Sequence, residues 1–546
     1  MKIDYSKDKL LTEFSHKTLE DRYLVGDEKS PQEAFARAAS AFADDEDHAQ
    51  RLYDYASNLW FMFSTPVLSN GGTERGMPIS CFLNYVEDSR EGITDHYTEN
   101  AYLSSFGGGI GGSWSSVRSQ GTKTSKGSES TGAIPFMKVV DAEMLAFSQG
   151  VTRRGSYAGY MHITHPEVEE FLDIRKPTGG DVNRKCTNLH HGVVINDKFM
   201  ETIHRATHEQ NFDDSWELID PHSGEVKKVV SARTLWVKLL QNRMETGEPY
   251  LMFEDAVNAD LPDFQKRKGL YVNHSNLCSE ITLATNEERT AVCCLSSVNL
   301  EYYDEWKNVP AFIPDLIRML DNVLDHFIEK APEQMHKAVY SAMRERSIGL
   351  GAMGFHAYLQ KNDIPFEGMW ANTANIEMFE HIKSGALLET RRLAVERGAC
   401  PDDDSCEVRN AHLLAIAPNA SSSIICGNTS PSIEPFRANA YTQKTKSGSY
   451  LQKNKYLDVI LRNKCKSEQE YEEAWKSIVA NKGSVQHLSM LSEQEKEVYK
   501  TAVEINQSWV VEHASNRQPY ICQSQSVNLF FPPDVNKGDL HNIHML

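Results

Sequence analysis

Apolar and polar positions divide this chain into short apolar strands separated by amphipathic helices. After a polar arm over residues 1–25, Ser30-Pro31-Gln32-Glu33 has the form of a capping box with proline at the first helical position. Phe35, Ala38, Ala39 and Phe42 then follow at helical spacing. A second helix is predicted with Leu52, Tyr55, Ala56, Leu59, Trp60 and Phe63 on one face. The acidic run Asp44-Asp45-Glu46-Asp47 between the two reads as a solvated linker. The strongest helical pattern starts near Asp315, carries Leu316, Met319, Leu320, Val323, Leu324, Phe327 and Ile328, and stops before Pro332. Buried-strand patterns occupy residues 79–84, 191–196, 291–296, 422–426 and 526–530. Such alternation implies an α/β class with ligand residues at strand ends. Residues 440–500 are more charged and read as a peripheral helical insertion.

Between these elements lie polar and glycine-rich stretches. Pro66 and the glycines make 64–72 a loop, whose hydroxyls either meet a ligand or form turns. Gly107 to Gly112 contains G-x-G-x-x-G, but residues 102–106 before it are helical in pattern and no βαβ period follows. These glycines are expected to permit an unusual backbone rather than to hold a dinucleotide. Residues 113–132 form a surface loop or a mobile ligand loop, and 148–156 form a second polar loop with Arg153 and Arg154. Pro418-Asn419-Ala420-Ser421-Ser422-Ser423 is either a serine-rich turn or a cradle in which backbone N–H groups approach a phosphate.

Composition narrows the function. A net charge of −19 over 546 residues argues against a broad DNA- or RNA-binding face. It leaves a nucleotide ligand open, because loop and helix-terminal N–H groups bind phosphate without a basic patch. There is no run of eighteen apolar residues, hence no membrane span, and no apolar segment of a secretory signal at the N-terminus. Ten cysteines without any C-x-x-C suit a reducing cytoplasm. No carboxylate–histidine signature completes a metal set around His162 and His165 or His190-His191, so no metal ligand is assigned.

The chemistry concentrates in Ser275-Asn276-Leu277-Cys278-Ser279-Glu280. In an extended loop residues two apart point to one side, so an amide, a thiol and a carboxylate would face one substrate. A thiol can carry a radical or act as a nucleophile, and the carboxylate can take a proton from a sugar hydroxyl. The plain alternative is a buried loop with a core cysteine.

The ordered set of motifs resembles the large, catalytic subunit of aerobic ribonucleotide reductases. It comprises Thr65-Pro66 with Ser69, Ser80-Cys81, Gly107 to Gly112, Ser148-Gln149-Gly150, Asn276 to Glu280, Ala291-Val292-Cys293, Gly349 to His356, Pro418 to Ser423 and Gln523 to Leu529. The resemblance spans nearly the whole chain. It implies a ten-stranded α/β barrel of two five-stranded parallel halves with a central finger loop. A short N-terminal helical region, 1–63, would precede the catalytic barrel, 64–546. It further implies reduction of ribonucleoside diphosphates to deoxyribonucleotides for DNA precursor synthesis. Cys278 would be the thiyl radical, Glu280 the base at the 3′-hydroxyl, and Asn276 a hydrogen-bonding partner of the ribose. Cys81 and Cys293 would supply two electrons and end as a disulfide. Cys293 and Cys294 would face opposite sides of a strand, so only one meets Cys81. Thr65, Ser69, Ser80 and Ala420, Ser421, Ser422 and Ser423 would bind the substrate. Asp88 and Arg118 would bind an allosteric dNTP or ATP effector. Gln149, with Arg153 or Arg154, would relay effector identity to the substrate base.

The same resemblance implies partners: a metal-containing small subunit that generates the radical, thioredoxin or glutaredoxin as reductant, and a homodimer of large subunits. No cofactor would bind the chain directly. Two departures stand out. The N-terminal ATP-cone domain of many members would precede Met1, and the barrel strand, paired tyrosines and cysteine tail that follow in the family have no counterpart before Leu546. The expectation is an incomplete large subunit whose last barrel elements are missing and which needs a companion C-terminal polypeptide. The competing readings are an adenosylcobalamin-dependent reductase and a catalytically silent nucleotide-binding regulatory paralogue.

Overall fold

A computed structural model describes residues 1–147, 155–445 and 448–546. The predicted capping box forms: the Ser30 hydroxyl and the Glu33 carboxylate close the first turn of the helix Pro31–Ala41, burying Phe35, Ala38 and Ala39. The next helix, Glu46–Ser57, is shorter than its sequence pattern predicts. Leu59 takes a left-handed backbone (φ 62°), and the chain emerges as the buried strand β1, Phe61–Phe63. Leu59, Trp60 and Phe63 keep the helical spacing of the residues before them, but the run is apolar throughout and its aromatics also suit a pleated surface. The acidic run is exposed to solvent but is more than a linker, because Glu46 and Asp47 open the helix itself. Asp45 caps the helix through His48 N (2.7 Å). Asp44 pairs with Arg318 (3.0 Å) and Arg397 (2.7 Å). Burial raises the Asp44 carboxyl, but hydrogen bonds from Asn322, Arg397 and Arg318 outweigh it and hold it near about 2.

The main sheet is a curled, mixed one. Strands β2 (Cys81–Tyr85), β3 (Gly109–Ser113), β4 (Ser156–His162) and β5 (His190–Ile195) run parallel. An excursion hairpin, β6 (Ser215–Ile219) with β7 (Val226–Ser231), follows, and β8 (Tyr250–Phe253) then adds to β5 as the fifth parallel strand. The second half starts with β9 (Ala291–Asn299), which lies antiparallel to β2 and parallel to β10 (Ile348–Met353). It continues through single parallel bridges, Leu350 to Leu414 and Ile416 to Gln525. Among the described residues this half therefore holds four parallel segments where five are expected. β1 also pairs antiparallel with β9, at Ser296 to Val298, toward the other end of that strand from β2.

Three further expectations change. Residues 65–70 form a helix, Thr65–Asn70, because Pro66 starts a helical turn as readily as it breaks one. Residues 422–426 are not a strand: Ser422–Ile425 is a helical turn, and the barrel segment lies just upstream at 413–416. Residues 526–530 form no strand either; the ladder there is the single bridge between Ile416 and Gln525, made through Ser524 O and Ser526 N. The helix Phe312–Lys330 forms as expected and begins three residues before Asp315, whose carboxylate holds Arg51 (2.7 and 2.9 Å) and the Tyr55 hydroxyl (3.0 Å). The loop after β3 is anchored by buried Asp220, which accepts from Ser119 and Thr122. The 440–500 insertion has its own core around Leu457, Leu461, Trp475 and Ile478. Besides helices it contains a hairpin, β11 (Ala440–Thr445) with β12 (Gly448–Lys453).

Candidate active site

The finger loop reaches the barrel interior because β3 meets it with glycines, Gly109 against Leu277 and Gly111 against Ser275 and Asn276. A Cβ on Gly111 would lie 2.1 Å from the Ser275 carbonyl oxygen and 2.8 Å from the Asn276 Cα. His274 Nε2 bonds the Gly111 carbonyl (3.0 Å). The glycine run thus receives the loop, and it is no dinucleotide fingerprint.

The loop tip is a turn, not the extended segment its alternating residues suggest. Ser279 N donates to Asn276 O (3.3 Å), and Ser279 sits at φ 69°. The buried Tyr160 hydroxyl, on β4, donates to Asn276 O (2.7 Å) and lies 3.3 Å from Ser279 Oγ. Asn276 Oδ1 accepts from Ile281 N (3.1 Å), and Ser275 Oγ donates to Ile281 O (2.7 Å). Asn276 Nδ2 is left as a buried donor with no partner among the described residues. Cys278, at the tip, is part-exposed. Burial pushes the Tyr160 and Tyr250 hydroxyls upward, helped by Tyr250 at Tyr160, by Glu248 at Tyr250 and, less, by the Cys278 sulfur at both.

Glu280 is buried at 1% exposure, and its Oε1 lies 4.0 Å from Cys81 Sγ. Cys81 is the first residue of β2 and stands directly opposite Cys293 on β9. Directly opposed residues of an antiparallel pair have Cα atoms about 4.5–5.5 Å apart, inside the range of about 4.4–6.8 Å that a disulfide spans. Both side chains belong to one interior cluster with Leu83, Ile281, Leu283 and Ala415. Cys294 points the other way, its Sγ 3.3 Å from Leu320 O in the outer core. Burial, then the neighbouring Cys294 and Cys81, push the Cys293 thiol well above its ordinary range.

The remaining residues fall in two places. Ser80 Oγ lies 3.8 Å from Cys81 Sγ. Thr65 bonds the Tyr23 hydroxyl (3.1 Å), and Ser69 Oγ bonds the Thr65 carbonyl. The turn formed by Ala420, Ser421, Ser422 and Ser423 packs on β1, whose chain leads directly into Thr65. Asn419 fixes that turn: it accepts from Ser297 Oγ (2.9 Å) and donates to Ala352 O (3.0 Å). Asp88 and Arg118 meet each other (3.0 Å), and His222 Nδ1 joins Asp88 at 3.0 Å. Gln149, Arg153 and Arg154 lie outside the described residues. The histidines have other partners: His162 bonds Glu254 (2.8 Å), His165 bonds Val117 O (2.9 Å), and His190 and His191 share Glu248. Sequence reasoning missed Tyr160 and His222, which carry no local signal. It quoted Gln523 only as part of a motif, although that side chain touches Cys293 (3.7 Å).

Comparison with known proteins agrees with this geometry. Residues 9–76 match the family model described as ribonucleotide reductase, all-alpha domain. Residues 79–405 and 404–546 match that of the ribonucleotide reductase barrel domain. The chain is 50% identical over 501 residues to the putative ribonucleoside-diphosphate reductase large subunit of Frog virus 3 (isolate Goorha), covering 91% of this chain and 85% of that protein. It is 44% identical to the corresponding large subunit of Invertebrate iridescent virus 3, covering 100% of this chain and 92% of the other. The solved class Id ribonucleotide reductase alpha subunit of Actinobacillus ureae superposes with a TM-score of 0.86 at 35% identity, over 100% of this chain and 95% of that one. With its barrel, its finger loop and these relatives, the chain belongs to the family of ribonucleoside-diphosphate reductase large subunits.

Proposed function

We propose that Cys278, as a thiyl radical, abstracts the ribose 3′-hydrogen while Glu280 takes the 3′-hydroxyl proton. The hydrogen ends on the Cys278 sulfur, and the substrate radical at C3′ then loses its 2′-hydroxyl as water. Asn276 Nδ2, buried and without a partner among the described residues, donates to a ribose oxygen. Cys81 and Cys293 supply two electrons and two protons and close to a disulfide, which an external dithiol such as thioredoxin or glutaredoxin reopens. Thr65, Ser69, Ser80 and the turn from Ala420 to Ser423 bind the ribose and phosphates. Asp88, held by Arg118 and His222, takes the sugar of a dNTP or ATP effector, and the segment with Gln149, Arg153 and Arg154 passes that choice to the substrate base. The radical comes from a metal-containing small subunit, and two large subunits pair in the working enzyme. The carrying observation is the opposed pair Cys81 and Cys293 beside Glu280 at the finger-loop base.

The test is reconstitution. The chain, a radical-bearing small subunit, dithiothreitol and an effector are mixed with CDP, with and without a companion C-terminal polypeptide, and dCDP is measured. Activity that vanishes in Cys278→Ser supports the assignment. Undiminished activity in that variant refutes it. Activity that needs adenosylcobalamin and no small subunit favours the other radical source, and effector binding without turnover in any mixture favours a silent paralogue.

A further inference from the structure

We propose that Gln523 is a positioning residue for the dithiol. Its side-chain amide orients Cys293 and stabilises that sulfur as the thiolate that leaves when the Cys81–Cys293 disulfide is reduced. The proposal rests on the reading of these two cysteines as the redox pair.

Gln523 stands two residues before the last barrel bridge, at Gln525, and is buried at 3% exposure. Its Nε2 donates to the Ile348 carbonyl (3.0 Å), which fixes the plane of the amide. The same nitrogen lies 3.7 Å from Cys293 Sγ, so its second N–H is aimed at the sulfur. The other end of the amide is unusual. Oε1 is buried and has no hydrogen-bond partner among the described residues. Buried polar atoms are nearly always paired, and an exception calls for a functional reason. An apolar side chain of the same length would fill the space without that penalty. The neighbouring backbone is tied to the catalytic loop as well: Ser524 N donates to Glu280 O (3.0 Å), and Ile416 N donates to Ser524 O (3.1 Å). One short segment therefore touches both the dithiol and the finger loop.

The chemistry explains why Cys293 needs such a donor. Of the two sulfurs, Cys81 is the less buried, at 8% against 1%. A thiolate of the external dithiol attacks Cys81 Sγ and forms a mixed disulfide. The S–S bond breaks, and its electron pair leaves on Cys293 Sγ. The second thiol of the reductant then displaces Cys81, so one disulfide and one dithiol exchange oxidation states, with protons from the reductant ending on the two cysteines. The rate of such exchange depends on how well the leaving sulfur bears charge. Three neighbours oppose that charge: Cys294 on its own strand, Cys81 on β2 and Glu280 on the finger loop. The Gln523 N–H favours it.

The experiment follows the disulfide directly. The full chain is oxidised, the Cys81–Cys293 linkage is mapped by mass spectrometry, and its reduction by dithiothreitol is timed from pH 6.5 to 9.5. Gln523→Met is expected to form the same disulfide and to release it about tenfold more slowly, the loss of one hydrogen bond to a charged group. Gln523→Glu, which places a carboxylate beside the sulfur, is expected to be slower still as the pH rises. Unchanged rates in both variants, with the linkage mapped, overturn the role of Gln523 alone. If Gln523→Met does not fold, a wild-type rate in Gln523→Glu overturns it. Failure of the wild-type chain to form this linkage overturns the dithiol reading itself.

Discussion

Replacing Gly111 by alanine tests whether β3 has to be bare for the finger loop to sit correctly. The added Cβ would stand 2.1 Å from Ser275 O and 2.8 Å from Asn276 Cα. Both are backbone atoms of the loop that carries Cys278. Relief to ordinary van der Waals contact requires the loop to retreat by about 1 Å or more. Overpacking of this kind costs about 1–3 kcal/mol of stability, and a displacement of about 1 Å at reacting groups costs about 100-fold in rate. Gly109 provides the internal comparison, because it lies on the same face of β3 two residues earlier. There a Cβ meets Leu277 Cδ2 at 3.0 Å, the end of a flexible side chain. Gly109→Ala should therefore cost under about 1.5 kcal/mol and keep most of its activity. The assay is CDP reduction with saturating small subunit, alongside thermal melting. Gly111→Ala with more than half of wild-type activity, or Gly109→Ala as damaging as Gly111→Ala, would refute the reasoning.

Three further outcomes follow from the same geometry. Tyr160→Phe removes the hydroxyl that holds Asn276 O and approaches Ser279 Oγ; it should cost about 1–2 kcal/mol in melting experiments and lower turnover more than substrate affinity. Cys294→Ser should retain turnover with dithiothreitol, because its sulfur faces Leu320 O in the outer core, whereas Cys293→Ser should abolish repeated turnover. Burial pushes the Glu143 carboxyl up to about 7, so the folded state holds its proton more tightly than the unfolded chain does. Stability is thus lost as pH rises from the usual carboxylate range through 7, and Glu143→Gln should raise the melting temperature at pH 8 while leaving it unchanged at pH 5.

Local physics made much of this fold legible. The Ser30 capping box, the helix ending before Pro332 and the strand at Cys81 follow from short-range patterns that tertiary contacts reinforce. The opposite facing of Cys293 and Cys294 follows from the pleat alone. Other features depend on contacts distant in sequence. Leu59 to Phe63 look helical until β9 offers a strand to pair with. Asp44 looks solvated until Arg318 and Arg397 arrive from the second half. The finger-loop tip turns at Ser279 because Tyr160, on a distant strand, anchors it. The amide oxygen of Gln523, without a partner among the described residues, has no sequence signature, since a missing hydrogen bond is a property of surroundings.

The seam between the two halves of the sheet has a mechanical consequence. Cys81 and Cys293 belong to opposite halves, so closing their bond encloses about two hundred residues in a covalent ring. In the chain-entropy view a ring of that size disfavours the unfolded chain by about 5 kcal/mol. The protein would therefore stiffen with every oxidation and loosen with every reduction, a cycle in which catalysis and resistance to unfolding rise and fall together. A single protease cut in the exposed stretch around Thr178 to Asp181 would leave two pieces that separate when reduced and stay joined when oxidised, so a non-reducing gel would read the redox state of the active site directly.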